Sequence, residues 1–528
     1  MTRRTVTSPP SPARRRPPSR VSVRPALVTS LLTALVAALA GCTGGPDPVP
    51  PASSVSVPAG VKDPAADPAL SRFYGQKLGW TACGGDVQCA TLTVPRDWSQ
   101  PAGASLGLKV ARRAASGSRV GALVFNPGGP GVGVLPYVQA ARQLAGKTVT
   151  EHFDFVGLDP RGVGESDPVR CLSDAELDRW TASDSTPDDA AEVSQAAADA
   201  QEFVKACRDN SDDVLEHMDT ASVARDLDVL RAALGEGRLT YWGASYGTYL
   251  GAWYAHLFPW RVGRMLLDGA VDPGQDAAGY VEGQARGFDR GLRAFVADCL
   301  KAKGCPLKGT VDQALAQLGG LVERLDSAPL DTGSERKLTQ SLFITSIGAG
   351  LYDATQWPAL RSALSQAFAG RGKEALALAD GYLERDDQGR YGQTLAANPS
   401  VFCQDFPESR SPEQIAEAAA QLQRRYPPLG ASIGWGTLSC SAWPDKPAKQ
   451  ARPVGAQGAA PSLVLGTTGD PATPYEWAQA LAKAIPSRLL TREGQGHTGF
   501  RRGNSCVDDA VEAYLVAGTL PADGTRCR

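Results

Sequence analysis

Apolar and polar positions alternate along this chain in two rhythms. Short apolar runs bounded by turn residues recur at 90–94, 106–110, 121–125, 153–158, 238–242 and 264–268. Runs of that length predict strands, the first two as an early antiparallel pair. Between them, residues 220–234 place Val223, Leu227, Leu230 and Leu234 on one helical face, and 248–255 reads as a buried helix. Strands alternating with helices predict an α/β fold, a mostly parallel sheet with helices on both faces. From about Pro273 to Ala456 the period becomes helical, with amphipathic segments at 288–300, 311–325, 338–351, 357–368 and 415–423. The last opens on Ser411-Pro412-Glu413-Gln414, an N-cap, a first-turn proline and a capping-box glutamine. Strand pattern returns at 462–465 and 488–491. The expected organisation is a core in two parts, 71–272 and 457–528, with a mainly helical cap, 273–456, inserted between them.

Charge changes the picture at the start of the chain. The first 41 residues hold seven arginines and no acid, so without them the formal net charge of −2 becomes −9. The mildly acidic remainder lacks the basic footprint of a nucleic-acid binder. The arginines precede a 15-residue apolar run, 26–40, which is short for a membrane span and suited to the core of a signal peptide. It ends Leu39-Ala40-Gly41-Cys42, similar to a bacterial lipobox. We expect a signal peptide over 1–41, cleavage before Cys42 and a lipid anchor on its thiol, tying an exported, cell-surface protein to the membrane. Residues 42–70, rich in Pro and Ala, read as a tether.

Eleven cysteines less Cys42 leave ten, an even number in an exported chain. Short loops close at low entropic cost. Sequential pairing is therefore expected: Cys83–Cys89, Cys171–Cys207, Cys299–Cys305, Cys403–Cys440 and Cys506–Cys527. With four histidines and no Cys-x-x-Cys pair, a metal site is not expected.

The chemistry concentrates at Gly243-Ala244-Ser245-Tyr246-Gly247, between a predicted strand and a predicted helix. Strand, Gly-x-Ser-x-Gly, helix resembles the nucleophile elbow of α/β-hydrolases, which implies that fold, with the helical insertion at 273–456 as its large cap. A serine hydroxyl needs a base, and the base an orienter. Asp470 and His497 each follow a predicted strand, in the chain order expected for an acid and a base after Ser245. Asp268, also after a strand, is the rival acid, although it is better suited to holding the loop 269–273. His256 lies eleven residues beyond Ser245 along the elbow helix. His152 precedes a strand, and His217 falls in a polar stretch that reads as a solvated loop. The N–H of Tyr246 and that of Gly129, in the glycine loop after 121–125, are the candidate oxyanion donors.

Together these residues resemble the secreted tripeptidyl-aminopeptidase and prolyl-aminopeptidase branch of α/β-hydrolase serine peptidases. The resemblance is carried by Pro127-Gly128-Gly129-Pro130-Gly131, by Asp159-Pro160-Arg161-Gly162-Val163-Gly164-Glu165-Ser166, by the elbow, by Asp470-Pro471-Ala472-Thr473-Pro474 and by Gly496-His497-Thr498. It implies release of short peptides, tripeptides among them, from free N-termini without a cofactor. Prolyl relatives bind the substrate amine with acids of the cap, and Asp405 is the candidate here. Two other classes compete: an esterase or lipase using the same three residues, and a non-catalytic solute-binding lipoprotein.

Overall fold

The computed structural model describes residues 57–58, 60–211, 213–443 and 455–528. The expected signal peptide and Cys42 lie outside the described residues, as does most of the expected tether. The end of that tether is ordered against the core. Asp63 and Asp67 cap two short 3₁₀ turns, Pro64–Ala66 and Pro68–Leu70, and Asp63 pairs with Arg261.

Ten strands form one sheet: β1 (Thr81–Ala82), β2 (Val87–Pro95), β3 (Ser105–Arg113), β4 (Gly121–Asn126), β5 (Phe153–Leu158), β6 (Leu239–Ala244), β7 (Val262–Asp268), β8 (Ser462–Gly469), β9 (Ser487–Gln495) and β10 (Arg526–Cys527). Their order is β1-β2-β3-β5-β4-β6-β7-β8-β9-β10. The β1–β2, β2–β3 and β3–β5 pairs are antiparallel, and all later pairs are parallel. β4, β5 and β7 are buried at every position, which is why they read as unbroken apolar runs rather than alternating ones. The order reverses around β4. In open α/β sheets, ligands bind beyond the carboxyl ends of the strands at such a reversal.

Two apolar cores flank the sheet. On one side the helices Thr220–Ala233 and Tyr246–Leu257 pack through Leu227, Leu230, Leu250 and Tyr254. On the other, the rings of Trp242 and Phe125 meet tilted at 56°, with centroids 4.6 Å apart, backed by the Ser505–Ala517 helix. A third core lies among the inserted helices and is built from Phe295, Leu318, Phe343 and Leu360 among others.

The helices of the insertion are Ala277–Cys299, Val311–Ser327, Gln340–Leu351, Trp357–Phe368, Lys373–Tyr382, Thr394–Asp405 and Pro412–Arg425, with shorter turns after them. The 412–425 helix starts at the expected capping box. Two of the helices were not predicted. Lys373–Tyr382 buries only Ala375, Leu376 and Ala379, a narrow stripe, and Thr394–Asp405 contains Pro399, a residue that breaks helical pattern. Nor is the cap built from the insertion alone. The Ala190–Asn210 helix, which precedes the elbow, buries Ala200 against Ile415, Ala419 and Trp435. The polar stretch around His217 is also no free loop, because Val214, Leu215 and Met218 within it are buried.

All five sequential cysteine pairs are formed: 83–89, 171–207, 299–305, 403–440 and 506–527. The Asp-x-Arg turn proves to be scaffold. Arg161, wholly buried, donates through Nε and Nη2 to Asp226 at 2.8 and 2.7 Å and through its other protons to the carbonyls of Pro95, Arg96 and His217. Asp159 accepts from the N–H of Val134 and of Glu165, tying the exit of the glycine loop to this turn.

Candidate active site

Ser245 sits between β6 and its helix with φ 55° and ψ −126°, backbone angles that a non-glycine residue adopts only under constraint. The constraint is visible in its neighbours. Its N–H donates to the Asp268 carbonyl at 2.9 Å, and its carbonyl accepts from both the N–H and the hydroxyl of Thr248. A Cβ at Gly243 would lie 2.2 Å from the Gly247 carbonyl oxygen, so the strand and the helix can approach this closely only with glycine there.

His497 and Asp470 arrive from loops after β9 and β8. Nδ1 of His497 is 2.9 Å from each carboxylate oxygen of Asp470. Asp470 is itself fixed. Oδ1 accepts from the N–H of Ala472 and Thr473, and Oδ2 accepts from the Thr473 hydroxyl and the Thr498 N–H. Facing that carboxylate, Nδ1 holds the proton and Nε2 is left as the basic nitrogen. Nε2 is buried without a hydrogen-bond partner among the described residues. The cap also holds the base: the Tyr352 carbonyl accepts the His497 N–H at 2.7 Å, and the Tyr352 ring stands edge-on to the imidazole at 5.2 Å.

Asp268, the rival acid, faces elsewhere. Its two oxygens accept the N–H groups of Gly499 and Phe500 at 2.8 and 3.0 Å, so it fixes the loop after His497 rather than residues 269–273. Burial pushes its carboxyl up to about 6. The remaining histidines are remote from this chemistry. His152 bonds the Thr148 carbonyl, and His256 bonds that of Gly455.

The glycine loop lies directly against the elbow. Gly128 has φ 99°, and a Cβ there would stand 2.6 Å from the Ala244 carbonyl and 2.9 Å from Ser245 Cβ. The Gly128 N–H is committed to Asn126 Oδ1 at 3.0 Å, which leaves the next N–H, that of Gly129, for a ligand. Tyr246 opens its helix, so its N–H is one of the uncommitted first-turn donors.

Ser245, His497 and Gly129 line one cavity of about 610 Å³, within the range that holds small ligands. Its walls are aromatic and apolar: Tyr137, Trp180, Tyr352, Phe402 and Trp435. Its one lining carboxylate is Glu384, just past the Lys373–Tyr382 helix, with φ 55°. Glu384 accepts from the Thr394 hydroxyl at 3.1 Å, pairs with no Lys or Arg among the described residues, and is pushed above the usual carboxylate range by its partial burial. No sequence signal marked it. Asp405, expected to meet the substrate, does not line this cavity. It is buried with both oxygens bonded to Thr220, and burial pushes it up to about 8. No group of His, Cys, Asp or Glu among the described residues is arranged to hold a metal ion.

The profile of the TAP-like protein family matches residues 426–527, the segment bearing Asp470 and His497. Serine protease Hip1 of Mycobacterium tuberculosis is 38% identical over 483 residues, covering 88% of this chain and 92% of that protein. Carboxylesterase B of the same organism is 34% identical, over 84% and 86% of the two chains. Tripeptidyl aminopeptidase of Streptomyces coelicolor is 32% identical, over 87% of each. With an elbow serine, a carboxylate-held imidazole and relatives aligned across nearly their whole length, this chain belongs to the tripeptidyl-aminopeptidase and prolyl-aminopeptidase branch of the α/β-hydrolase serine peptidases.

Proposed function

We propose that this protein is an exported, lipid-anchored exopeptidase that removes short peptides, chiefly tripeptides, from free N-termini. In this reading His497 Nε2 takes the Ser245 proton as Oγ attacks the scissile carbonyl. The tetrahedral oxyanion accepts from the N–H groups of Tyr246 and Gly129, each worth about 10²–10³ in rate. Asp470 keeps the imidazole oriented and stabilises its cation, which then protonates the departing amine. Water attacks the acyl-enzyme by the same route. The signal peptide, the anchor on Cys42 and the cell-surface location rest on the sequence alone.

The observation that carries this reading is the cavity. Ser245, His497 and the candidate donor Gly129 open into an aromatic pocket walled by cap residues, which suits a chain end better than a chain interior. We assign the substrate ammonium to Glu384 rather than to Asp405, because Glu384 lines the pocket and Asp405 is committed to Thr220. The relative named Carboxylesterase B supports a second reading, ester hydrolysis by the same residues.

One substrate panel separates the two: mono-, di- and tripeptidyl coumarin amides with free N-termini, their N-acetyl counterparts, and simple acyl esters. Highest kcat/KM on the free tripeptide, with a large loss on acetylation, is expected. Ester turnover without any peptide turnover would establish the second reading instead.

A further inference from the structure

We infer that the Thr394–Asp405 helix of the cap sets both oxyanion donors, with Asp405, Thr220 and Asn398 as positioning residues. The inference rests on the oxyanion assignment proposed above and extends it to residues that never touch substrate.

The C-terminal end of this helix reaches Tyr246 through a single intermediary. Asp405 Oδ1 accepts the Thr220 N–H at 2.9 Å, and Oδ2 accepts the Thr220 hydroxyl at 2.5 Å. The same hydroxyl oxygen is hydrogen-bonded to the phenol of Tyr246. All three side chains are buried, so water does not compete for these bonds. Tyr246 is thereby held at both ends: its backbone opens the elbow helix, and its phenol is tied to Thr220. A ring with two torsions fixed at each end leaves its N–H little freedom to swing away from the oxyanion position.

The N-terminal half of the same helix meets the other donor's loop. Asn398 Nδ2 donates to the Pro130 carbonyl at 3.2 Å. At Gly131 a Cβ would stand 2.7 Å from Ala397 Cβ and 2.9 Å from the Asn398 nitrogen, so the loop rests on the helix without a gap. The same helix lines the cavity through Leu395, Pro399 and Phe402. The Cys403–Cys440 disulfide staples its end within the cap. The occupant of the cavity therefore leans on the element that aims both donors, and binding is coupled to the rate step rather than to affinity alone.

The test uses the full-length protein on its best substrate, peptide or ester, with rates referred to the active-site titre so that only folded enzyme is counted. Tyr246→Phe and Thr220→Val are expected each to lower kcat about tenfold with KM within about twofold, a fraction of the loss from deleting a donor outright. Thr220→Ser should restore the wild-type rate. The Tyr246→Phe/Thr220→Val double variant should be no slower than either single one, since both cut the same connection. Asn398→Ala should lower kcat separately. If Tyr246→Phe and Thr220→Val keep wild-type kcat, or lose only in KM, the inference is overturned. Ser245→Ala is the control: if it retains turnover or fluorophosphonate labelling, the underlying catalytic reading fails instead.

Discussion

Replacing Asp470 by asparagine separates the two acids that the sequence offered. The carboxylate takes five donors: the Ala472, Thr473 and Thr498 N–H groups, the Thr473 hydroxyl and His497 Nδ1. An amide keeps one oxygen and turns the other position into a donor. If the amide nitrogen takes the Oδ2 position, the buried Thr498 N–H loses its acceptor, at a cost of about 1–3 kcal/mol in stability. More damaging, an NH₂ group facing Nδ1 favours the imidazole tautomer protonated at Nε2, the form that cannot accept the serine proton. Loss of the correct tautomer costs about 10⁴ in kcat, or roughly 5.5 kcal/mol of barrier. Asp268→Asn disturbs only the Gly499 and Phe500 N–H groups and leaves the imidazole with Asp470, so kcat should fall about tenfold or less. The assay is kcat on a fluorogenic substrate normalised to folded protein, with melting temperature recorded beside it. A 10⁴-fold loss at Asp268 with a near-normal rate for Asp470→Asn would refute the assignment.

Two further outcomes are expected. Because burial raises Asp268 from 3.8 to about 6, its contribution to folding is full below about pH 4 and is lost as pH rises through 6, a span of about 3 kcal/mol. The stability advantage of wild type over Asp268→Asn, followed by urea unfolding, should shrink between pH 4 and 7 and then level off; a pH-independent difference would contradict this. Arg161→Met leaves Asp226 buried without its guanidinium partner and should cost about 3–5 kcal/mol, while active-site labelling of the folded fraction continues. A stability loss under about 1 kcal/mol would show that the pair is not buried as described.

Much of this architecture was legible in the chain because it is local. Strands β4, β5 and β7 are covered on both faces, so their residues are apolar without interruption and stand out in any window. The elbow serine is marked by glycines that backbone contact requires, and the cap helix at Pro412–Arg425 by its own capping box. Elements whose pattern is diluted were missed. The Thr394–Asp405 helix carries an internal proline and is held by its neighbours rather than by its own periodicity. The Pro64–Leu70 turns look like tether until the pairing of Asp63 with Arg261 is seen.

By itself the sequence determined which residue types could do the chemistry and in what order they come, since a candidate nucleophile, acid and base after strands β6, β8 and β9 are written in the chain. Which acid meets the imidazole was decided only in three dimensions. Asp268 ends β7 and Asp470 follows β8, and the chain, which favours Asp470, does not show that it meets Nδ1 while Asp268 is consumed by the Gly499 and Phe500 N–H groups. The same holds for the other carboxylates. Asp226 answers Arg161 across 65 residues, Asp405 answers Thr220 across 185, and Glu384 lines the cavity with no residue pattern to mark it. A carboxylate's role is set by which donors surround it after folding, and those donors come from segments far apart in the chain.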